Sequence, residues 1–438
     1  MVAIRTRSEG SKEMTITIFL VSLIGAMALG VPIAFSLLVC GVALMWHMDM
    51  FDAQILAQNL MEGANSFPLL AVPFFMLAGE VMNAGGLSRR IVNFAMALVG
   101  HIKGGLGYVT IMAAVIMAAL SGSAVADAAA LAALLMPMMV AAGHDKARSA
   151  GLIASAGIIA PVIPPSIGFV IFGVAGNVSI SKLFMAGIVP GMMLGVALWV
   201  TWWWLARREV VQVPPRKSTG EILLALREAT WALVLPVIVV FGLKFGVFTP
   251  TEAAVVAAVY ALLVSTLVYR ELNLRSLVPL FVASAKTSAV VMFLVAAAMV
   301  SAWLITVANL PGELVALLQP LLDSPRLLML TIMVITMVVG TALDMTPTIL
   351  LLTPVLMPVV KAAGIDPVYF GVLFIINNAI GLITPPVGTV LNAVAGAGRV
   401  SMDEVTKGVL PFMVAQFLIM FAMVAFPQLV MVPARWFY

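Results

Sequence analysis

IAPVIPPSIGFVIFG, residues 159–173, is apolar throughout except for Ser166, and it carries two adjacent prolines, Pro164 and Pro165. Neither proline has an N–H to donate, and each ring clashes with the preceding turn, so an α-helix cannot run through them. Nearby carbonyls are left free. The same device returns as NAIGLITPPVGTVLN, residues 378–392, with Pro385-Pro386 at an offset of 221 residues. Opened backbone inside an apolar segment survives in a membrane only where it lines a cavity or a site.

The offset holds on both sides of the prolines. Leu135-Met136-Pro137 returns as Leu356-Met357-Pro358, and Ala141-Ala142-Gly143 as Ala362-Ala363-Gly364. Asp145 returns as Asp366, Gly187 as Gly408 and Pro190 as Pro411, with no gap. Composition alone can match alanines and leucines, but not this set of prolines and glycines in register. The chain is therefore two copies of one plan. A tail, 1–13, precedes a first repeat over 14–206. The polar stretch 207–228 reads as a cytoplasmic linker, and 229–438 is the second repeat.

The medium follows from composition. Of 438 residues, 63% are hydrophobic and 10% charged, where soluble domains run near ~45–50% and ~25%. A soluble globular enzyme is excluded. At roughly 20 residues per span the length allows about a dozen membrane segments. The net charge of +4 fits basic cytoplasmic loops and gives no sign of a nucleic-acid partner. The lone Cys40 rules out an internal disulfide, and three scattered histidines make a transition-metal site an unattractive reading.

Several apolar runs are too short to cross a bilayer, and they flank the breaks. Such pieces read as re-entrant hairpins or broken helices. The first break is Ser121-Gly122-Ser123, between arms 105–120 and 124–142, with Asp127 in the following turn. Its hydroxyls and freed carbonyls suit a hard cation, and the N–H groups at a half-helix start suit an anion. A plain kink, with the hydroxyls bonded back to the preceding turn, is the alternative. The second repeat changes the chemistry: Ser121 maps to Ala342, Ser123 to Asp344 and Ile163 to Thr384. An ionisable residue in a membrane segment is a functional candidate by default; the blander reading is that Asp344 caps the helix beginning near Pro347, and it could do both. Asn377-Asn378 suits ion coordination or inter-helix hydrogen bonding.

Placing the linker in the cytoplasm puts fifteen of the 23 basic residues inside. The two halves are then inverted, which is the plan of secondary transporters, whose discontinuous helices meet at a midplane site. Residues 85–105 read as a surface arm, and Pro311–Pro325 as its outer counterpart. Trp199, Trp202, Trp203 and Trp204 before Arg207-Arg208 read as an interfacial belt. Glu80, Lys244 and Lys286 read as interfacial or snorkelling charges.

FPLLAVPFFMLAGE (67–80), SGSAVADAAALAALLMPMM (121–139) and the two Pro-Pro segments, in this order, resemble the large membrane subunit (a DctM-type permease) of tripartite ATP-independent periplasmic (TRAP) transporters. The likeness covers nearly the whole chain. It implies an all-α polytopic fold of the elevator type, with two hairpins and two broken helices in a transport domain near 105–177 and 325–397, and a scaffold of the remaining helices. It implies Na⁺-coupled import of an organic acid across the bacterial inner membrane. A periplasmic binding protein would deliver the substrate, and a separate small four-helix membrane subunit would accompany this chain.

By resemblance one Na⁺ site falls on Ser121, Ser123, Ala160, Ile163 and Pro165, with Ala160 where the family commonly has glycine. The other falls on Gly340, Thr341, Asp344, Gly381, Thr384 and Pro386. Substrate would lie between Ser123, Ala124, Asp127 and Ser166 on one side and Thr346 and Pro347 on the other. Two rivals are a stand-alone Na⁺/dicarboxylate symporter of the same superfold and an intramembrane aspartyl protease using Asp127 and Asp344.

Overall fold

The computed structural model describes residues 2–209 and 211–437, with side chains from residue 14 onward apart from Ile16. The side chains of Arg5, Arg7 and Lys12, assigned above to a polar tail, lie outside the described residues. The first helix runs Val2–Ala28, so no break in the backbone separates tail from span. Every regular element among the described residues is helical, and eight helices are long and apolar enough to cross a bilayer. Helices satisfy their own backbone groups, which is what hydrocarbon demands.

The helix starts repeat at the sequence offset to within one residue. Ala124–Ala141 maps onto Met345–Ala362, Lys146–Gly157 onto Pro367–Gly381, and Ile180–Ala206 onto Met402–Ala425. Leu274–Val307 maps back onto Ala53–Ala64 and Ala71–Ala84 together. These equivalent segments pack against each other and run antiparallel: Gly63 faces Ala296 and Met299, whereas Met76 faces Ser288. Equivalent helices that pass in opposite directions make the two repeats inverted.

The structure separates the two kinds of break. Gly105–Ser121 packs along Ala124–Ala141, so Ser121-Gly122-Ser123 is the tip of a hairpin and not a kink in a through-going helix. Lys146–Gly157 and Ile167–Gly176 do not pack side by side, so the first Pro-Pro segment interrupts a helix that continues onward. The second repeat follows suit, with a hairpin of Pro325–Gly340 and Met345–Ala362 and a broken helix of Pro367–Gly381 and Thr389–Gly398. Both Pro-Pro peptide bonds are cis.

The halves interlock. The outgoing arm Thr389–Gly398 lies on the return arm of the first hairpin, and the second hairpin's return arm lies on Ile167–Gly176. Helix Met402–Ala425 lies along Lys146–Gly157 at backbone contact: a Cβ on Gly151 would strike Gly408, and one on Gly408 would strike the Ala147 carbonyl. One turn and more away, Gln416 Nε2 donates to the Ser155 carbonyl at 2.9 Å. Its repeat mate, Ile180–Ala206, approaches the first broken helix through Gly187, where a Cβ would strike the Val162 carbonyl. Of the glycines repeated in the sequence, Gly187 and Gly408 are thus places where two backbones touch, whereas Gly364 meets nothing within 4 Å. Outside this bundle, Leu274–Val307 gathers Ile33–His47, Ala53–Ala64 and Ala71–Ala84, while Thr219–Lys244 packs on the arm helix Leu87–Val99.

One tryptophan departs from the belt reading. Trp202 is fully buried and donates to the Gly104 carbonyl at 2.8 Å, because Gly104 and Gly107 leave room for the indole. Trp203 stays at the surface under the Arg207 guanidinium, 3.3 Å from the ring centre.

The linker is strapped down where it begins. His144 Nδ1 lies 2.7 Å from Glu209 Oε2, and Arg148 donates to Glu209 Oε1 at 2.9 Å. The Gln212 amide donates to the Ala142 carbonyl at 2.9 Å. Burial by itself would raise the Glu209 carboxyl, but the hydrogen bond and charge of His144, with those of Arg148, hold it below the usual carboxylate range. A lowered carboxyl contributes stability above its ordinary range and loses that contribution as the pH falls through its folded value. Protection of the amides at 207–209 and 211–212 against hydrogen exchange, corrected for the intrinsic pH dependence of exchange, is therefore expected to be high at neutral pH and to fall on acidification below that range, and Glu209→Gln should show the reduced protection already at neutral pH. The glycine contact gives a second expectation. Gly408→Ala should destabilise the folded protein by about 1–3 kcal/mol through overpacking, read as a lowered unfolding midpoint in detergent, while Gly396→Ala, which meets nothing within 4 Å, should not.

Candidate functional site

Each hairpin tip rests on the break of its own half. Gly122 adopts φ +64°, a conformation that glycine takes without steric cost. A Cβ there would also strike the Pro165 carbonyl, so the first tip touches the first Pro-Pro break directly. In the second half the contact is glycine on glycine: a Cβ on Gly381 would lie 2.9 Å from the Gly340 carbonyl oxygen. The halves then meet each other. Gly168, just past the first break, faces Met345 at the start of the second return arm, where a Cβ would lie 3.1 Å from Met345 Cε.

At the first tip Ser121 Oγ donates to Asp127 Oδ1 at 2.5 Å, and the Ser123 amide donates to Ser121 Oγ at 3.2 Å. Ser123 Oγ accepts from the Ala126 amide at 3.4 Å as the helix cap. Asp127 is buried, and its Oδ2 has no hydrogen-bond partner among the described residues. Ala124, Ala160, Ile163 and Pro165 are buried as well. Ser166 is buried too, with its hydroxyl donating to the Pro161 carbonyl and accepting from the Phe169 amide at 3.2 Å. Its side chain is committed to shaping the break.

The second tip is more open. Asp344 and Pro386 are exposed, Thr341, Thr346 and Thr384 are half-buried, and Pro347 is buried. Asp344 stands at the N-cap position of Met345–Ala362, yet its side chain makes no capping hydrogen bond. It accepts instead from Thr389 Oγ1 at 3.2 Å. The first amides of that return arm are therefore uncapped by any side chain, and a helix start with free N–H groups is an anion site in waiting. Thr384 Oγ1 donates to the Ile380 carbonyl and Thr341 Oγ1 to the Val338 carbonyl, at 2.8 and 2.7 Å. Asn377 Nδ2 bridges to the Met333 carbonyl of the hairpin at 2.6 Å, whereas Asn378 Nδ2 bonds within its own helix, to the Phe374 carbonyl at 2.7 Å.

Both tips set the C-terminus of an incoming helix, whose dipole favours a cation, beside the N-terminus of a return helix, whose dipole favours an anion; they differ in that Ser123 caps the first return arm whereas the second has no side-chain cap. Gly122 was read in the sequence as the centre of the first break, where a glycine between two serines is a turn signal. Thr389 also belongs to this arrangement and was not singled out, because its partner Asp344 is 45 residues away in the chain. Asp127 and Asp344 lie on separate hairpins, each with its own hydroxyl partner, and do not form the paired carboxylates an aspartyl protease shares a proton between.

Inverted repeats, paired re-entrant hairpins and broken helices that meet at their tips define a secondary-transporter fold. Residues 20–429 match the family described as tripartite ATP-independent periplasmic transporter, DctM component, and the chain belongs to that family. It is 57% identical to the 2,3-diketo-L-gulonate TRAP transporter large permease protein YiaN of Escherichia coli, over 97% of this chain and all of that one. It is 38% identical to the isethionate TRAP transporter permease protein DctMQ of Oleidesulfovibrio alaskensis, over 88% of this chain but 61% of that longer one. Among solved structures, that of the Alcanivorax borkumensis YdaH transporter shares the fold, with a TM-score of 0.61 at 15% identity, covering 86% of this chain and 89% of the other.

The buried Ser121–Asp127 bond is open to test. Ser121→Ala leaves a buried carboxylate without its donor and should cost about 1–3 kcal/mol of stability, measured by reversible unfolding in detergent, whereas Ser121→Thr should retain most of it.

Proposed function

We propose that this chain is the large permease of a Na⁺-coupled importer of a small organic acid in the bacterial inner membrane. The observation that carries the reading is the meeting of each hairpin tip with the break of its own half. One Na⁺ would be held by Ser121, Ser123 and carbonyls at Ala160, Ile163 and Pro165. The other would be held by Asp344, Thr341 and Thr384, with carbonyls at Gly340, Gly381 and Pro386. Substrate carboxylate would lie between the amides that follow Ser123 and those that follow Asp344, where Thr346 and Pro347 begin the second return arm. Bound Na⁺ beside it lowers the cost of bringing an anion to membrane depth. Two relatives named for small organic anions, a diketo sugar acid and a sulfonate, support that substrate class.

The unit that moves in an elevator cycle would be the interlocked bundle. It holds both hairpins and both broken helices, and we include Ile180–Ala206 and Met402–Ala425, which pack on it more than on the outer helices. A periplasmic binding protein would deliver the substrate. A small membrane subunit would complete the complex, in keeping with the extra length of the DctMQ relative. A stand-alone symporter would differ in needing no binding protein.

Uptake of radiolabelled organic acids into proteoliposomes containing this chain and its small subunit separates these readings. Uptake should require both an inward Na⁺ gradient and the binding protein; uptake without the binding protein would make the chain a stand-alone symporter. Asp344→Ala should abolish Na⁺-dependent uptake while the protein still reaches the membrane, and retained Na⁺ dependence would remove Asp344 from the site.

A further inference from the structure

We propose that Asp127 is the counter-charge of the first Na⁺ and the group that turns Ser121 Oγ toward that ion, a proposal that deepens the Na⁺-coupled reading above and rests on it. The 221-residue offset carries the first clue. It pairs Ser123 with Asp344, and it pairs Asp127 with Thr348. The same two positions, one helical turn apart at the start of each return arm, thus hold one hydroxyl and one carboxylate in both halves, with the two exchanged. Each tip keeps a single carboxylate although neither position keeps its residue.

The exchange changes what the carboxylate meets. In the second half Thr348 Oγ1 bonds back to the Asp344 carbonyl at 2.9 Å, and the Asp344 side chain stands exposed at the tip. In the first half the carboxylate lies one turn further into the return arm, where Asp127 is 1% exposed. It accepts one hydrogen bond, from Ser121 Oγ at 2.5 Å, and its Oδ2 accepts none. None of the ion pairs among the described residues includes it. A buried carboxylate without a counter-charge is costly. A cation bound beside it removes that cost.

The bond to Ser121 says where the cation lies. Ser121 Oγ gives its proton to Asp127 and accepts the Ser123 amide at 3.2 Å. It does not bond back to its own helix, as Thr341 and Thr384 do at the second tip. One lone pair of Ser121 Oγ remains, and with the proton already committed it can face only a cation or another donor. Hydrogen bonding to a carboxylate also makes that oxygen a better ligand, as outer carboxylates do for metal-bound histidines. The turn that carries Asp127 packs on the end of Lys146–Gly157, where a Cβ on Gly157 would lie 2.6 Å from Ala128 Cβ and 3.2 Å from the Ala124 carbonyl oxygen. The Ala160, Ile163 and Pro165 carbonyls assigned to this ion follow directly in the chain. Asp127 is therefore a positioning residue that acts through Ser121. An anionic substrate gains nothing from a buried carboxylate, so Asp127 leaves the substrate set.

The test uses the full chain purified in detergent. Equilibrium binding of radioactive Na⁺ gives affinity, and the unfolding midpoint in matched NaCl and KCl gives stability. Asp127→Asn should weaken one Na⁺ site about tenfold to a hundredfold and shrink the rise in midpoint that NaCl produces. Its midpoint in KCl should equal or exceed that of the unmodified chain, because a neutral amide is cheaper to bury than a lone carboxylate. Asp127→Glu should bind Na⁺ more tightly than Asp127→Asn. Ser123→Asp combined with Asp127→Thr, which copies the second half, should recover affinity lost in Asp127→Thr alone. Unchanged Na⁺ affinity in Asp127→Asn, or a midpoint that falls equally in both salts, would overturn the assignment and leave the Na⁺-coupled reading standing. An unmodified chain that binds no Na⁺ and unfolds alike in both salts would overturn both.

Discussion

A peptide group that faces hydrocarbon without a partner is too costly to keep, and the whole architecture answers to that constraint. Four consecutive-proline or polar breaks open the backbone at membrane depth. Each is packed, at least in part, against another segment of the bundle. The first Pro-Pro segment is covered by Gly187 and Gly191 of a neighbouring helix, by the Gly122 tip, and by the Ser166 hydroxyl turned back on Pro161. The second hairpin presses Gly340 onto Gly381. Breaks of this kind hold only inside a packed bundle, so the bundle and the site are one object.

Inversion supplies that packing economically. A single plan, used twice in opposite directions, places each return arm on the other half's broken helix. The two copies are nonetheless unequal. The first tip is closed, neutral at its serines and backed by a buried Asp127, whereas the second exposes Asp344 and Pro386. A fold with equivalent halves can thus hold one ion behind cover and another near an opening, which is a sensible division for a protein that must admit and release cargo at different moments.

Much of this was legible in the residues. Prolines cannot continue a helix and glycines cannot hide their absent side chain, so the 221-residue repeat and the four breaks stood out in the sequence. What could not be read was long-range. Whether a break is a hairpin tip or an interruption depends on whether its arms lie side by side, and nothing within either arm says so. Trp202 looked like its neighbours in a run of tryptophans, and its burial was decided by Gly104 and Gly107, nearly a hundred residues earlier. The pairing of Asp344 with Thr389, rather than with its own helix start, likewise depends on two segments whose order in the chain gives no hint of their contact. The site residues proposed from family resemblance are another matter: the Ser166 hydroxyl, for one, is committed to the Pro161 carbonyl and the Phe169 amide.

The strapped linker has a consequence of length. The bundle holds the chain as far as Gln212 through the Ala142 carbonyl, and the outer helix Thr219–Lys244 takes it up again at its Ser218 cap. Between those fixed points run six peptide steps, which fully extended span about 20 Å at ~3.4 Å each. This segment is a leash: however the bundle travels relative to the helices around it, these two points cannot part by more than that reach unless one of the anchors lets go.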